Sequence, residues 1–311
     1  MSIADVDGSG VGTYLDKEAL AAGLFAFVQP DGSWGLSNAG LICSDDRVVL
    51  VDTWFTERRN RILRQVVLGA APVPPSILIN THHHGDHVYG NGWFPESVVI
   101  SHVETRDAVL ELDPMASARR FQAVQFGETR ATPATITFET SLQLHVGDMT
   151  LDVFFPGVAH CSGNTAVFIP QRSVLFAGDL LLKNCTPAMV GGSALGYLSV
   201  LQRLRQLAPQ KIVPGHGPTC SVEVIDETER YVHYVLELAA DALAKGRTPL
   251  DAARGASLGE FAGWLDSERI VGNLYRAMRE LAAGGSQLPL DTAAMWRDTE
   301  AWLGRPLRSH A

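Results

Sequence analysis

The sequence predicts an α/β domain over residues 1–221 and an all-helical extension over residues 222–311. Two observations support this prediction. Short apolar runs separated by Gly, Pro and Asp dominate the first two-thirds of the chain and are typical of strands and turns. After Pro218, longer segments rich in Glu, Leu and Ala carry apolar residues at helical spacing. Of the 311 residues, 46% are hydrophobic and 19% charged, an ordinary composition for a globular protein.

The individual elements follow from the same patterns. Strands are predicted over residues 24–28, 39–43, 48–51, 76–80, 98–101, 136–138, 142–145, 149–155, 165–169 and 174–176. Gly147 and Asp148 lie between two of these strands and indicate a hairpin. Helices are predicted over residues 56–68, 102–112, 222–244, 269–283 and 292–303. Residues 113–133 show no pattern that decides between helix and strand.

Charge and composition exclude several classes of partner. The formal net charge of −9 and the lack of a Lys/Arg cluster argue against nucleic acid. The N-terminal MSIADVDGSG has no charged region followed by an apolar run, and no apolar stretch is long enough to cross a bilayer. We therefore expect a cytoplasmic protein that does not bind membranes. The four cysteines are scattered without a C-x-x-C pair, which indicates free thiols.

The segment from Thr81 to His87 contains the densest chemical signal of the chain. It reads His82-x-His84-x-Asp86-His87, and such a group of imidazoles and a carboxylate is hard to bury unless a cation holds it together. Alternation along an extended segment places His82 and His84 on one side. Asp86 and His87 follow on the turn and can face a second point nearby. This pattern suits two neighbouring metal ions better than one.

Three further metal-competent side chains stand where apolar strands end. His160 follows the strand predicted over 149–155, Asp179 ends the segment Leu175-Phe-Ala-Gly-Asp, and His216 ends Ile212-Val-Pro-Gly-His. Loops at strand ends can turn into a common cleft, and the neighbouring glycines allow tight turns.

Together, these motifs resemble the metal-binding motifs of the metallo-β-lactamase superfamily, in the order in which that family carries them over about residues 20–220. The resemblance implies a four-layer αβ/βα sandwich with metal ions at one edge between two sheets. It also implies that His82, His84 and His160 hold one ion and that Asp86, His87 and His216 hold the other, with Asp179 bridging them.

The chain also departs from well-known branches of that family. Many secreted β-lactamases have Cys where Asp179 stands, and they carry export signals, so β-lactam hydrolysis is expected to be at most secondary here. The His-Thr-Pro-Gly segment that is usual in glyoxalase II and persulfide dioxygenases is replaced by His160-Cys-Ser-Gly-Asn. This difference argues against close membership of either group.

The ligand set predicts a binuclear hydrolase. Two divalent ions lower the pKa of a shared water toward about 7, and the resulting bridging hydroxide can attack a carbonyl. Asp86 is expected to bind metal, orient the nucleophile and relay a proton. Zn²⁺ is the expected ion, with iron or manganese as alternatives.

The expected substrate is a small-molecule acyl ester, thioester or lactone. Other hypotheses remain open at this point: a biosynthetic cyclase or thioesterase that uses the same Lewis-acid site, and a persulfide dioxygenase with one iron at His82, His84, His160 and Asp179. Phosphodiester cleavage is disfavoured because no basic surface is visible. A non-enzymatic binding protein is disfavoured because all seven ligand positions are filled. A homodimer formed through the helical extension is a further possibility.

Other residues are assigned supporting roles. Asp52 ends a strand and is expected to orient the 82–87 loop by hydrogen bonds, and His83 is expected to support the ligands from behind. Candidate substrate contacts are Trp34 in an early Gly-rich turn, Lys183 and Asn184 in the loop after Asp179, and Asn273 and Arg276 on a helix expected to cover the active-site mouth.

Overall fold

The computed structural model describes residues 15–122 and 124–311, and the N-terminal stretch in which no export signal was expected lies outside the described residues. The described chain forms two β-sheets flanked by helices. The strands are β1 (Asp16–Ala21), β2 (Leu24–Val28), β3 (Ala39–Cys43), β4 (Val48–Val51), β5 (Ile77–Ile79), β6 (Val98–His102), β7 (Ile136–Phe138), β8 (Ser141–Val146), β9 (Met149–Phe154), β10 (Ala166–Ile169), β11 (Val174–Leu182) and β12 (Lys211–His216).

The helices are concentrated in the second half of the described chain. They are α1 (Glu57–Ala70), α2 (Gly85–Val88), α3 (Val103–Leu110), α4 (Pro114–Arg120), α5 (Ala194–Gln206), α6 (Glu223–Ala244), α7 (Pro249–Gly255), α8 (Arg269–Ala282) and α9 (Thr292–Leu303). Short 3-10 turns lie at Asn91–Trp93, Pro170–Arg172 and Gly259–Phe261. Among the described residues, no helix combines the length and the apolar character needed to cross a bilayer.

The two sheets differ in strand direction. The first sheet has seven strands in sequence order, antiparallel from β1 to β4 and parallel from β4 to β7. The second sheet has five strands in the order β12-β11-β10-β9-β8, and all pairs except β11 with β12 are antiparallel. The parallel connections place the loops after β4 and β5 at one edge, where ligands commonly bind.

Alternation along the strands explains the layers. In β4, Val49 and Val51 face the second sheet, while Val48 and Leu50 pack against α1. In β11, Val174 and Phe176 face the first sheet, while the neighbouring Leu175 and Ala177 pack against helices on the far side. Because each sheet is apolar on both faces, each is covered on both faces. The result is helix, sheet, sheet and helix, which confirms the predicted four-layer α/β fold.

The helical extension shares a core with the second sheet. Leu180, Leu201 and Ile212 belong to one buried apolar cluster together with Ile225 of α6 and Leu274 of α8. The two segments that the sequence assigns to separate units are therefore joined by common packing.

The structure differs from the sequence prediction at several elements. The strand predicted over 174–176 continues to Leu182, so Asp179 lies inside β11 and not at its end. The register of pairing with β12 shifts on both sides of Gly178, which has a φ of +52° and pairs with Pro214, and the last pair joins Leu182 and His216. The sequence prediction also lacked β1, α5 and α7, and it left residues 113–133, which contain α4, unassigned.

Candidate metal centre

The His-rich turn follows β5 and leads into the short helix α2. His84 immediately precedes α2 with an extended backbone, and Asp86 and His87 lie within the helix. Gly85 is needed at this corner because a Cβ there would lie 2.5 Å from the ring of Tyr89. The chain changes from extended to helical within this turn, and His82 and His84 fall in one metal-competent group while Asp86 and His87 fall in the other.

Glycines also bring the second sheet close to this turn. A Cβ at Gly178 would lie 2.5 Å from Thr81 Oγ1, and a Cβ at Gly215 would lie 1.9 Å from Asp179 Oδ1. The backbone N–H of Thr165 donates to the carbonyl of Thr81 at 2.7 Å, which joins the two sheets directly beside the turn. The metal-competent side chains therefore converge between the sheets.

The seven predicted ligands form two adjacent groups. His82, His84, His160 and Asp179 make one group, and Asp86, His87 and His216 make the other. Within each group, one potential ligand atom from every residue lies within 4.8 Å of the others. The structure thus brings together all seven side chains that the sequence singled out, although they come from four separate segments.

Asp179 lies between the two groups and directs one oxygen to each. Its Oδ2 lies 3.8 Å from His82 Nε2 and 3.5 Å from His160 Nε2. Its Oδ1 lies 3.2 Å from His87 Nε2 and 3.6 Å from His216 Nε2. A carboxylate in this position can bridge two cations.

Four of the five histidines are oriented by a hydrogen bond of Nδ1 that leaves Nε2 directed inward. Their partners, in the order His82, His87, His160 and His216, are Thr81 Oγ1 at 3.0 Å, Asp52 Oδ2 at 2.9 Å, the Ala188 carbonyl at 2.8 Å and the Gly32 carbonyl at 3.0 Å. His84 differs because its Nδ1 points inward and lies 2.9 Å from His160 Nε2. Outer partners of this kind are typical of imidazoles that ligate metals.

Asp52 makes hydrogen bonds to both ends of the His-rich turn. It is buried, adopts a φ of +61° and accepts hydrogen bonds from the backbone N–H of Thr81 at 2.7 Å and from Thr81 Oγ1 at 2.6 Å. Its Oδ2 also forms a hydrogen bond with Nδ1 of His87 at 2.9 Å. One carboxylate thereby connects the beginning and the end of the His-rich turn.

The donor set fits divalent cations. His82 Nε2, His87 Nε2 and Asp179 Oδ1 are buried and have no hydrogen-bond partner. Unpartnered polar atoms are costly in a protein interior, and bound cations would satisfy these three. Imidazole nitrogen and carboxylate oxygen are suitable donors for such an ion.

Burial and neighbouring charges favour the metal-binding protonation states of His82, His84 and Asp179. Burial, together with neighbouring imidazoles, holds the pKa of His82 and of His84 well below the usual range. Burial would raise the pKa of Asp179, but the surrounding histidines, with His216 and His87 foremost, hold it well below the usual range. Neutral imidazoles and an ionised carboxylate are the states that bind metal.

The remaining predicted residues occupy different surroundings. Burial, followed by the nearby His160, lowers the pKa of His83 to about 4, and the His83 and His84 rings lie 4.8 Å apart. Lys183 forms an ion pair with Glu227 of α6 at 2.7 Å, and Asn184 is exposed. No contact with the two metal-competent groups is seen for either side chain in the described residues.

Trp34 is half-buried and held by the extension. Its Nε1 donates to Glu268 Oε1 at 2.8 Å, and the guanidinium of Arg269 lies 4.0 Å from its ring centre. Its ring also contacts Phe121 and Trp296. Trp34 is therefore fixed in an aromatic cluster, and only the part of its surface that remains open can face a substrate.

Asn273 and Arg276 differ most from the sequence prediction. Asn273 is fully buried and Arg276 is 7% exposed. The amide of Asn273 bonds the backbone at Pro187 and Met189, and the guanidinium of Arg276 bonds the carbonyls of Val190 and Leu288. The prediction that Asn273 contacts substrate is therefore wrong, because its side chain is fully buried.

Several residues that shape the centre had no motif to identify them. Asn38 Nδ2 donates to the carbonyls of Pro214 at 2.9 Å and Gly217 at 2.8 Å, on either side of His216. Ser37 bonds the carbonyl of Asp86, and the Ala188 carbonyl bonds His160. Backbone carbonyls and small polar residues carry no spacing signal, so only the folded chain identifies them.

Comparison with known proteins identifies the family and the fold that this chain shares. The family model for the metallo-beta-lactamase superfamily matches residues 32–216, which is more than half of the chain and contains both metal-competent groups. A metallo-beta-lactamase from Pontibacter korlensis has a similar fold, with a TM-score of 0.59, 20% identity and coverage of 70% of this chain and 99% of that one.

Sequence relatives carry several different functional names. A metallo-beta-lactamase type 2 of Bacteroides fragilis is 23% identical over 211 residues, covering 66% of this chain and 79% of that protein. A hydroxyacylglutathione hydrolase of Synechococcus is 30% identical over 151 residues, covering 45% of this chain and 49% of the relative. A 2,4-dinitroanisole O-demethylase subunit alpha of Nocardioides is 27% identical over 177 residues, covering 55% of this chain and 50% of the relative. The match to the family model, over a segment that holds all seven converging side chains, shows that the chain belongs to the metallo-beta-lactamase superfamily.

Proposed function

We propose that this protein is a binuclear metallohydrolase that cleaves a small-molecule acyl ester, thioester or lactone. The observation that carries the proposal is the position of Asp179, whose two carboxylate oxygens face two separate groups of metal-competent side chains. When bound there, two divalent ions would lower the pKa of water toward about 7 and polarise a carbonyl oxygen.

The two carboxylates of the centre, Asp179 and Asp86, have different surroundings and different proposed roles. Asp179 has 6% of its side chain exposed and is enclosed by histidines, whereas Asp86 has 15% exposed. Asp86 Oδ2 lies 3.3 Å from His216 Nε2. It is the carboxylate that can accept a proton from water and pass it to a leaving group.

A thioester is the favoured substrate within this class. The support is the similarity to a hydroxyacylglutathione hydrolase, whose name specifies an acylated glutathione. A thiolate leaves with little protonation, so hydrolysis of a thioester demands less of the proton relay than hydrolysis of an amide or an alkyl ester. Zn²⁺ is the proposed ion because five histidines and two carboxylates make up the donor set.

The proposal is tested by metal analysis and a substrate screen on the same preparation. Elemental analysis should find two divalent ions per chain, and acyl thioesters should be hydrolysed faster than nitrocefin or phosphodiesters. Hydrolysis should stop under chelation and return when Zn²⁺ is restored. Faster turnover of nitrocefin than of every acyl ester, thioester and lactone would contradict the proposed substrate class.

The same measurement separates this proposal from a persulfide dioxygenase. A single iron per chain, with oxygen consumed in the presence of a persulfide, would contradict the binuclear hydrolase. The second complete group, formed by Asp86, His87 and His216, favours two ions over one.

A further inference from the structure

Helix α8 carries a stripe of buried polar side chains that the proposed chemistry does not use. Arg269, Asn273, Arg276 and Glu280 recur at intervals of three or four residues and therefore lie along one face of the helix. Each of the four is 7% exposed or less. Polar side chains are rarely buried in this number unless their hydrogen bonds serve a defined partner.

The partner is one stretch of backbone. The hydrogen bonds of this stripe reach the segment 186–195, which connects β11 to α5. They run from Arg269 to the Thr186 carbonyl at 2.9 Å, from Asn273 to the Pro187 carbonyl at 2.8 Å, from Met189 N–H to Asn273 at 2.9 Å, from Arg276 to the Val190 carbonyl at 2.7 Å, and from Ala194 N–H to Glu280 at 2.9 Å.

Asn273 occupies the central position of this stripe. Its Nδ2 donates to the carbonyl of Pro187, and its Oδ1 accepts from the N–H of Met189. These two bonds bracket Ala188, whose carbonyl lies 2.8 Å from Nδ1 of His160. A hydrogen bond of this kind selects the tautomer and ring orientation of a ligating imidazole. Asn273 is therefore linked to His160 through a single intervening residue.

The segment also contacts the turn that carries His160. The N–H of Ser193 donates to the carbonyl of Ala159 at 2.8 Å, and Cys161 pairs with Gly191 in an isolated β-bridge. A Cβ at Gly192 would lie 1.9 Å from the Ala159 carbonyl oxygen, so the two backbones are in close contact. A shift of the 186–195 segment would therefore move the turn that carries His160.

We infer that Asn273 is a positioning residue for His160, and that α8 of the helical extension thereby sets the affinity of the metal position formed by His82, His84, His160 and Asp179. This inference rests on the metal centre of the proposed function. It assigns the extension a part in metal binding through hydrogen bonds to backbone, without a ligand of its own.

The test is the variant Asn273→Ala, with metal affinity as the readout. Zn²⁺ is titrated against a chromophoric chelator, and Co²⁺ is titrated with its visible spectrum recorded. Because changes behind a metal ligand typically weaken metal binding about 10-fold to 100-fold, we expect one ion to bind about 10-fold more weakly and the other to be unchanged. The Co²⁺ absorption of the weakened position should also change, since the His160 ring would reorient.

The matched control is Leu274→Ala, at the next position of the same helix. Leu274 is fully buried in the apolar core, and its side chain can form no hydrogen bond to the 186–195 segment. This variant should lower Tm and leave both metal affinities at the parental values. Equal weakening by both variants would overturn the inference, because general loss of stability would then account for the effect.

A double-mutant cycle tests the route through His160. In a His160→Ala background, the additional Asn273→Ala change should have no further effect on metal affinity, because the residue that it positions is gone. A further 10-fold loss in that background would overturn the inference. If Asn273→Ala does not fold, Asn273→Asp serves instead. It keeps the acceptor for Met189 N–H, removes the donor to Pro187, and should weaken the same ion.

The result is independent of the substrate screen. A parent protein that binds two ions but hydrolyses none of the substrates would overturn the proposed function and leave this inference intact. A parent protein that binds no ion would overturn both. Parental metal affinity in a folded Asn273→Ala variant would overturn the inference alone.

Discussion

Gly215 and Asp179 show how closely the backbone approaches the side chains at the metal centre. The residue before His216 has no room for a side chain, because a Cβ there would lie 1.9 Å from Asp179 Oδ1. The same oxygen is one of the buried atoms without a hydrogen-bond partner. The glycine therefore allows Asp179 to stand between the two groups of ligands.

Replacing Gly215 with Ala should displace Asp179 and weaken the binding of both ions by at least about 10-fold, since Asp179 faces both groups. Chelator competition measures this loss. Gly263→Ala is the matched control, because no atom lies within 4 Å of its added methyl group. Parental metal affinity in Gly215→Ala would show that Asp179 is not needed where the structure places it.

The role of Asp86 can be separated from simple metal binding. In Asp86→Asn the amide oxygen remains available as a ligand, but the side chain can no longer take up a proton. We expect most of the metal to be retained and kcat to fall by a factor of about 100 or more, the contribution typical of a positioned general base or acid. Asp46→Asn, an exposed carboxylate outside both groups, is the control. Turnover at the parental rate in Asp86→Asn would contradict the assigned role.

At the scale of the element, helix α1 shows how local sequence determines both ends and one face. Thr56 caps its N-terminus by accepting from the N–H of Arg59, and Ile62, Leu63 and Val66 are buried against the first sheet. Gly69, in the last turn of the helix, is exposed. Glycine weakens a helix because it loses more backbone entropy on folding than alanine does.

Gly69→Ala should therefore stabilise the protein by about 0.5–1 kcal/mol, because the added methyl group meets no atom within 4 Å. Gly246 after α6 offers a matched control with equally open surroundings but a φ of +63°. Gly246→Ala should lose about 1 kcal/mol, since a side chain disfavours that conformation. Chemical denaturation measures both, and equal effects of the two substitutions would contradict this explanation.

Strand β11 shows that local sequence is insufficient to predict where a strand ends. Its residues are all buried, and pairing with β12 carries it past Asp179 to Leu182. An acidic residue after Gly178 looks like the end of a strand when only neighbours in sequence are considered. The partner strand and the metal-competent histidines make the carboxylate acceptable inside the sheet.

At the scale of the whole molecule, the helical extension completes the core of the second sheet. Leu180, Leu201 and Ile212 would lose their apolar partners Ile225 and Leu274 if the chain ended before α6. Loss of such contacts leaves large apolar surfaces open to water.

We expect a chain truncated after residue 221 to lose its near-UV circular dichroism, bind a hydrophobic dye and unfold without a cooperative transition, because part of its core is missing. The full chain measured under the same conditions is the reference. A truncated chain with a cooperative transition at the parental Tm would show that the α/β part folds independently.

Metal removal should affect the whole molecule as well. Buried donors without partners destabilise the metal-free state, and an ion that binds only the folded chain stabilises it by mass action. Chelation should therefore lower Tm, and added Zn²⁺ should restore it in a concentration-dependent way. An unchanged Tm after complete metal removal, confirmed by elemental analysis, would contradict the assignment of these atoms as ligands.

The sequence by itself determined the α/β fold class, the predicted strands that the structure retains and the seven metal-competent side chains, because these depend on periodicity and on residue types close together along the chain. It did not determine that Asp179 lies inside a strand, that Trp34 is fixed in an aromatic cluster, or that Asn273 is buried behind His160. Those features depend on contacts between residues far apart in the sequence, such as Leu182 with His216 and Met189 with Asn273. Only tertiary packing decides which distant backbone groups meet, since backbone carbonyls and amides are alike at every position in a sequence.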